Sequence, residues 1–119
     1  MGAMEMTYAK LQVAYLFFFL IFYTHLQACF WALFSSLTDQ GGDRATWMST
    51  FAAEYEATWG VAPRPFDTYA AALYWSGMTI TSIGYGDISA TRGNAVELFF
   101  CAGLMLTAGF AWANIVAGL

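Results

Sequence analysis

Two long stretches of this chain carry no charged side chain, and they constrain its fold more than any other feature. The first is LQVAYLFFFLIFYTHLQACFWALFSSLT, residues 11–38, and the second is LFFCAGLMLTAGFAWANIVAGL, residues 98–119. A helix needs about 20 apolar residues to cross the hydrocarbon core of a bilayer. Only 10% of the residues are charged, against about 25% in a typical soluble domain. We therefore expect one multi-pass integral membrane domain over residues 1–119, with transmembrane helices at 11–38 and 95–119.

Residues 39–65, which we call the turret, are polar and contain one short amphipathic helical pattern. Asp43 is its predicted N-cap and Gly60 its predicted stop. Aromatic residues recur at every fourth position and so form one stripe on a helix: Trp47, Phe51, Tyr55 and Trp59. The pattern favours packing of this stripe against the rest of the domain. An aromatic belt at the membrane interface is the alternative.

Residues 66–81 are apolar but too short to cross a membrane as a helix. Asp67 is the predicted N-cap, and its negative charge also suits the positive end of the helix dipole. A run of this length that ends in glycine-rich chain is typical of a re-entrant segment, which enters the membrane as a helix and returns as irregular backbone. Such backbone is tolerated at that depth only where it is buried in protein or lines a water-filled cavity.

The stretch TSIGYGD, residues 81–87, is where this irregular backbone is expected. Gly84 and Gly86 alternate with larger residues and accept positive φ, so successive carbonyls can point to the same side. A row of carbonyls is a cation ligand, and the hydroxyl of Ser82 can add an oxygen at the inner end. Four chains around an axis would supply rings that replace the hydration shell of potassium. The predicted ion-binding residues are Ser82, Ile83, Gly84, Tyr85 and Gly86, with K⁺ held by the carbonyls of the first four.

Two other interpretations of these glycines were considered. A dinucleotide-binding G-x-G-x-x-G needs a third glycine and a strand before it, but residue 89 is serine and the preceding segment is helical in pattern. A plain type II or I′ turn between two apolar elements remains as the alternative.

The stretch T-I-T-S-I-G-Y-G-D, residues 79–87, resembles the potassium-channel signature T-x-T-T-x-G-Y-G-D, with Ser82 in place of the last threonine. A-L-Y-W-S, residues 72–76, resembles the pore helix of those channels. H-L-Q-A-C-F-W, residues 25–31, and the pattern E-x-x-F…M-L…W-A that starts at Glu97 resemble the two membrane helices of the ether-à-go-go and cyclic-nucleotide-gated branch. The resemblance covers roughly residues 22–118.

This resemblance implies an all-α membrane protein with two transmembrane helices, a re-entrant pore helix over 66–81 and a selectivity-filter loop over 82–87. Four identical chains would form one tetrameric pore that lets potassium permeate passively and selectively. K⁺ is the expected permeant ion, with no other cofactor. Membrane lipids are the other expected partner, no nucleic acid is expected, and the plasma membrane is the expected location.

The resemblance also implies which residues support the filter: Thr81, Asp87, Trp75 and Tyr74. Met78 stands where simple bacterial potassium channels have a glutamate that pairs with the filter aspartate. We therefore expect the indole N–H of Trp75 to be the partner of Asp87. We also expect Trp75 and Tyr85 to form an aromatic cuff that holds the filter open, with Tyr74 nearby.

One face of the second membrane helix is expected to line the inner cavity: Met105, Gly109, Trp112 and Val116, at spacings of four, three and four. The resemblance places an aromatic residue facing the axis at Trp112, where four indoles could hold a hydrated cation or form a constriction. The alternative is that Trp112 faces lipid or packs on the first helix.

Charge also bears on permeation. Residues 39–97 hold seven acids and three bases, a net charge of −4, which would give a tetramer an acidic vestibule that concentrates cations. These residues are Asp39, Asp43, Glu54, Glu56, Asp67, Asp87 and Glu97 against Arg44, Arg64 and Arg92. A merely solvated rim is the alternative.

The remaining reactive side chains predict no chemistry. His25 is expected to be neutral, hydrogen-bonded and packed between helices. Cys29 and Cys101 are expected to be small buried hydrophobes without a disulfide. No metal-ligand spacing and no catalytic arrangement occurs in the sequence, so we expect no enzyme.

Four functional alternatives stay open at this point. The chain could be a pore-only channel, or the pore of a longer protein that carries a voltage sensor or cytosolic regulatory domains. It could also be a non-conducting structural subunit that keeps the pore hairpin, or a non-selective cation pore.

Overall fold

A computed structural model describes residues 3–38 and 45–118, and all four regular elements in those residues are helices. They are α1 (Ala3–Thr38), α2 (Trp47–Trp59), α3 (Pro65–Ile80) and α4 (Ala95–Gly118). Helices α1 and α4 are both long and apolar enough to cross a membrane. The expectation of an all-helical protein with two membrane-spanning helices is therefore confirmed at the level of secondary structure.

Helix α1 begins at Ala3, eight residues before the charge-free stretch that predicted it. Residues 3–10 are good helix formers, and Glu5 in the first turn complements the positive end of the helix dipole. A charge-free stretch shows which residues can lie in the hydrocarbon core. Helical backbone hydrogen bonding is not limited to those residues and continues through the polar residues before them. The helix is therefore longer than its apolar part.

Helix α2 is capped at both ends by hydrogen bonds within its own segment. Its N-cap is Thr46, whose hydroxyl accepts the N–H of Ser49 at 3.2 Å, while the Ser49 hydroxyl accepts the N–H of Thr46 at 2.8 Å. This reciprocal pair is a capping box. The predicted cap, Asp43, lies outside the described residues and before this start. Gly60 ends the helix at φ 78°, in the left-handed region that favours glycine, as predicted.

Helix α3 begins two residues before its predicted cap, so the assignment of Asp67 as N-cap is wrong. Pro65 takes the first helical position, where its fixed φ is pre-organised, and Arg64 precedes it as the N-cap. The Asp67 carboxylate lies in the first turn and accepts the backbone N–H of Arg64 at 2.9 Å. This hydrogen bond, helped by one from Tyr55, lowers the pKa of Asp67 below its usual value.

Three stacked tryptophans form the centre of the main core. The ring of Trp31 from α1 lies between Trp47 from α2, at 4.1 Å between ring centroids, and Trp75 from α3, at 3.7 Å. Small buried residues let the helices approach around this stack: Ala28, Ala71, Ala72 and Cys101. The stack thus joins α2 to α3 through α1.

The predicted packing of the aromatic stripe holds only for its beginning. Trp47 is buried, Phe51 and Tyr55 are half-buried, and Trp59 is 68% exposed. The stripe therefore turns away from the core toward the end of α2.

A second, smaller hydrophobic cluster lies around the C-terminal end of α3. Ile80, the last residue of α3, is buried there with Ala108 and Ala111 of α4. Partly buried side chains of α1 and α4 complete it: Phe19, Leu20, Tyr23 and Trp112. Most other apolar side chains of the two long helices are exposed. A surface of this kind is stable only against lipid or another protein.

Candidate functional site

The candidate filter begins directly at the C-terminal end of α3. The N–H of Thr81 bonds to the Gly77 carbonyl at 3.2 Å, and the Thr81 hydroxyl donates to the same carbonyl at 2.7 Å. The N–H of Gly84 then reaches back to the carbonyl of Met78 at 3.1 Å. The chain therefore leaves the helix by turning back over its last turn, and residues 82–87 are tied to α3 from their inner end.

In the backbone of the candidate filter, residues with positive φ alternate with residues without it. Ser82, Gly84 and Gly86 have positive φ, at 66°, 59° and 82°, and the residues between them do not. Gly60 is the only other described residue with positive φ. Such alternation is the condition under which successive carbonyls can point to one side, as the glycine pattern predicts for positions 84 and 86.

Sequence reasoning missed that Ser82 shares this conformation. A non-glycine residue rarely adopts positive φ, and serine carries no signal for it. The preceding hydrogen bond, from the Ser82 N–H to the Thr79 carbonyl at 3.3 Å, fixes how the chain leaves the helix. Ser82 therefore holds a backbone conformation that its residue type does not favour, which is a common property of functional segments.

The candidate filter is uncovered in a single chain. Ile83 is 56% exposed and Tyr85 is 70% exposed, although both are large and apolar. No atom lies within 4 Å of where a Cβ would stand on Gly84 or Gly86. One chain therefore presents this segment without enclosing anything.

The expected hydrogen bond between Trp75 and Asp87 is wrong. Trp75 is 2% exposed and stacks on Trp31 in the core. Asp87 is instead bonded by Tyr74, whose hydroxyl donates to its Oδ2 at 2.9 Å. Neighbouring residues of a helix point about 100° apart, so the position beside Trp75 faces the filter while Trp75 faces α1. The bond to Asp87 raises the pKa of Tyr74 above its usual value.

The same geometry bears on the predicted aromatic cuff. With its ring stacked in the core, Trp75 is not free to meet Tyr85 of its own chain, and Tyr85 remains exposed. The cuff itself, with Tyr74 nearby, stays a prediction. Thr81, the fourth predicted support residue, lies directly beneath the filter and is bonded to α3 as described above.

A buried carboxylate lies behind the outer end of the filter. Glu97, in the first turn of α4, is 0% exposed and accepts the backbone N–H of Trp47 at 3.1 Å and of Thr91 at 2.8 Å. Asn94 accepts the N–H of Glu97 through Oδ1 and donates through Nδ2 to the Ala45 carbonyl, both at 3.2 Å. These bonds join the start of α2, the loop after the filter and the start of α4.

Glu97 therefore does not belong to the acidic vestibule in which its charge was counted. That expectation treated every acid between the membrane helices as solvent-facing. The spacing N-A-V-E, residues 94–97, in which an asparagine N-cap precedes a glutamate at the third helical position, indicates a hydrogen-bonded helix start but gives no sign that the carboxylate is buried. Glu54 and Asp87, in contrast, are exposed and line one cavity of about 150 Å³ between α2 and the filter exit.

The residues expected to line the cavity lie beside the buried face of α4. Met105, Gly109 and Val116 are exposed, whereas Trp112 is half-buried against the second hydrophobic cluster. At 3.6 residues per turn, their face lies about 80° around the helix from the buried one. Trp112 stands at the boundary between the two faces. The single chain thus leaves this face open.

His25 and the two cysteines are placed differently from one another. His25 Nδ1 shares a hydrogen bond with the hydroxyl of Tyr69 of α3, but the side chain is exposed, so its expected packing between helices is wrong within one chain. Cys101 is buried, but Cys29 is exposed, so its expected burial is wrong within one chain. Both cysteines are free. The described residues contain no group of three or more His, Cys, Asp or Glu side chains that could hold a metal ion.

Two helices of membrane-spanning length, with a short helix and a turned-back segment between them in the sequence, fit a two-helix membrane pore domain. A family model described as "Ion channel" matches residues 44–117. This chain belongs to that ion-channel family. Together with the similar protein described next, this match confirms the resemblance to a potassium-channel pore domain.

The sequence of one named potassium channel is similar to this chain and supports the family assignment. The chain is 32% identical over 87 residues to a protein of Oryza sativa subsp. japonica named "Potassium channel AKT3". The match covers 72% of this chain and 8% of the rice protein. No solved structure matches the chain.

Proposed function

We propose that this chain forms a potassium-selective pore that mediates passive K⁺ permeation across a membrane. The observation that carries the proposal is the alternation of positive φ at Ser82, Gly84 and Gly86. In the proposed site, the carbonyls of residues 82–85 coordinate the ion, and the Ser82 hydroxyl adds an oxygen at the inner end. Gly86 completes the ion-binding segment and leads into Asp87.

The proposed assembly is a homotetramer. One row of carbonyls cannot replace the hydration shell of an ion, whereas four rows around an axis can. The exposure of Ile83 and Tyr85 supports this assembly, because large apolar side chains at the end of a buried helix are stable only when something covers them. The open face of α4 at Met105, Gly109 and Val116 would then line the inner cavity together with Trp112.

Electrostatic features beside the filter favour a cation. The C-terminal end of α3, which carries a partial negative charge, lies directly before Ser82. At the opposite end, Glu54 and Asp87 line one cavity next to the filter exit. Acids in that position raise the local concentration of cations. We place the pore in the plasma membrane, in contact with lipid along the exposed apolar faces of α1 and α4.

The test is replacement of Gly84 by alanine in the purified chain reconstituted into liposomes. A Cβ meets no atom at this position within one chain, but φ 59° strains any residue other than glycine. Selective rubidium uptake should therefore be lost. The matched control is Gly60→Ala, which places the same strain at φ 78° in the turret and should leave selectivity intact.

Three outcomes separate the alternatives. Selective uptake that survives Gly84→Ala unchanged contradicts the proposed filter. Equal uptake of rubidium and sodium by the wild-type chain indicates a non-selective cation pore. No uptake by a folded wild-type tetramer indicates a structural subunit.

A further inference from the structure

Glu97 is the only acidic side chain that is buried among the described residues. Both of its oxygens face donors: Oε1 accepts the N–H groups of Thr91 and Trp47, and Oε2 lies 3.2 Å from the same N–H of Trp47. Burial of a carboxylate is costly unless hydrogen bonds compensate for lost water. Here the compensation comes from backbone groups of two other segments, so those segments are held in a fixed relation to α4.

One of these segments is the loop that follows the filter. Thr91 lies four residues after Asp87, and between them Ile88 and Ala90 pack against the main core. The bond between the Thr91 N–H and Glu97 is the shortest that Glu97 makes, at 2.8 Å. The loop is thus anchored at its outer end by Glu97 and at its filter end by the bond between Tyr74 and Asp87.

The other segment is the start of α2. The N–H of Trp47 bonds to Glu97, while the ring of Trp47 stacks on Trp31, which in turn stacks on Trp75 of α3. Helix α3 carries the inner end of the filter. Glu97 therefore closes a ring of contacts that runs from the outer loop through the turret to the helix beneath the filter.

We propose that Glu97 is a positioning residue, which holds the loop at Thr91 against the start of α2 and so keeps the filter in its selective conformation. The inference rests on the proposed function of residues 82–87. It assigns to Glu97 a role that acts through the backbone of the loop, without contact between Glu97 and the ion.

Two substitutions cut the same bond from its two sides. Glu97→Met keeps the length of the side chain but removes both carboxylate oxygens, including the Oε1 that accepts the N–H groups of Thr91 and Trp47. Thr91→Pro removes the N–H of the loop. The matched control is Thr91→Val, which keeps the N–H and removes a hydroxyl that is buried without a partner among the described residues.

The measurement is the ratio of rubidium to sodium uptake in liposomes that contain equal amounts of tetramer. Thr91→Pro should lower this ratio by about tenfold, the effect of losing one hydrogen bond to a charged group, and Glu97→Met should lower it by at least as much. The double variant should be no worse than Glu97→Met alone, because both substitutions remove the bond between Thr91 and Glu97. Thr91→Val should behave as the wild type.

An unchanged uptake ratio in a stable Glu97→Met tetramer would overturn the inference, and so would an equal loss in Thr91→Val and Thr91→Pro. Amide hydrogen exchange on the wild-type chain decides the point even if the variants fail to fold. The Thr91 amide should exchange much more slowly than that of the exposed neighbour Arg92. Equal exchange of the two amides would show that the loop is not held. If the wild-type chain lacks selective uptake, the proposed function fails, whereas the exchange result still tests the anchor.

Discussion

The hydroxyl of Tyr74 donates a hydrogen bond to Oδ2 of Asp87 at 2.9 Å. This bond joins the side of α3 to the residue that follows the candidate filter. The bond from the Gly84 N–H to the Met78 carbonyl joins the same helix to the middle of that segment. Residues 82–87 are therefore held along α3 at two points, one through backbone and one through a side chain.

Tyr74→Phe removes the outer of these two points and leaves the ring in place. Asp87 then loses a hydrogen bond, and we expect the rubidium-to-sodium uptake ratio to fall several-fold, since a solvent-exposed hydrogen bond contributes about 0.5–1.5 kcal/mol. The control is Tyr55→Phe, which removes a tyrosine hydroxyl from Asp67 in the turret. Equal selectivity in the two variants would contradict a role for Tyr74 in the filter.

Trp31→Ala should destabilise the domain by about 3–5 kcal/mol, because it empties the middle of a three-ring stack that is fully buried. Trp59→Ala, at the exposed end of the aromatic stripe, should change the free energy of unfolding by less than about 0.5 kcal/mol. Equilibrium unfolding in detergent micelles compares the two. A similar loss in both variants would argue against the stack as the centre of the core.

Acidification should loosen the first turn of α3. The pKa of Asp67 is lowered in the folded chain, so its contribution to stability is present at neutral pH and is lost as the pH falls from about 4 through the folded pKa. The protection of the Arg64 amide, measured as its exchange rate relative to an unfolded chain at the same pH, should fall over that range because this amide donates to the carboxylate. In Asp67→Asn the pH-dependent step should disappear. A step that persists in this variant would assign the effect to another group.

Trp112→Ala tests whether the half-buried indole reaches the inner cavity. If it does, the affinity for internal tetrabutylammonium should fall several-fold, since each cation–π contact is worth roughly 0.5–2 kcal/mol. Phe110→Ala is the control, because this exposed ring points about 160° away on the same helix. Unchanged block in Trp112→Ala would place the indole against the first helix instead.

The two helices long and apolar enough to cross a membrane, and the glycine positions of the candidate filter, were predictable from the sequence alone. A charged side chain inside hydrocarbon is costly, so a long stretch without one shows by itself where the chain can cross. The positive φ at Gly84 and Gly86 was predictable for a similar reason, because only glycine adopts positive φ without strain. Both inferences depend on the properties of the residue at the position and on no distant partner.

The side chains that support the filter could not be assigned in this way. Tyr74 and Trp75 are adjacent aromatic residues with a polar atom at the edge of the ring, and either could in principle reach Asp87. Trp31 of α1 decides between them, because it stacks with Trp75 and leaves Tyr74 on the filter side. No local pattern reveals that stack, since its three members come from three helices.

The burial of Glu97 and the backbone strain at Ser82 likewise depend on the tertiary structure. The sequence by itself determined that Glu97 is an acid near the start of the second membrane helix, and that Ser82 precedes the two glycines. Only the tertiary structure decided that Glu97 is buried on the amides of Trp47 and Thr91, and that Ser82 shares the positive φ of the glycines. The physical reason is that burial and backbone strain depend on which segments meet after folding, whereas hydrophobicity and glycine flexibility are carried by each residue on its own.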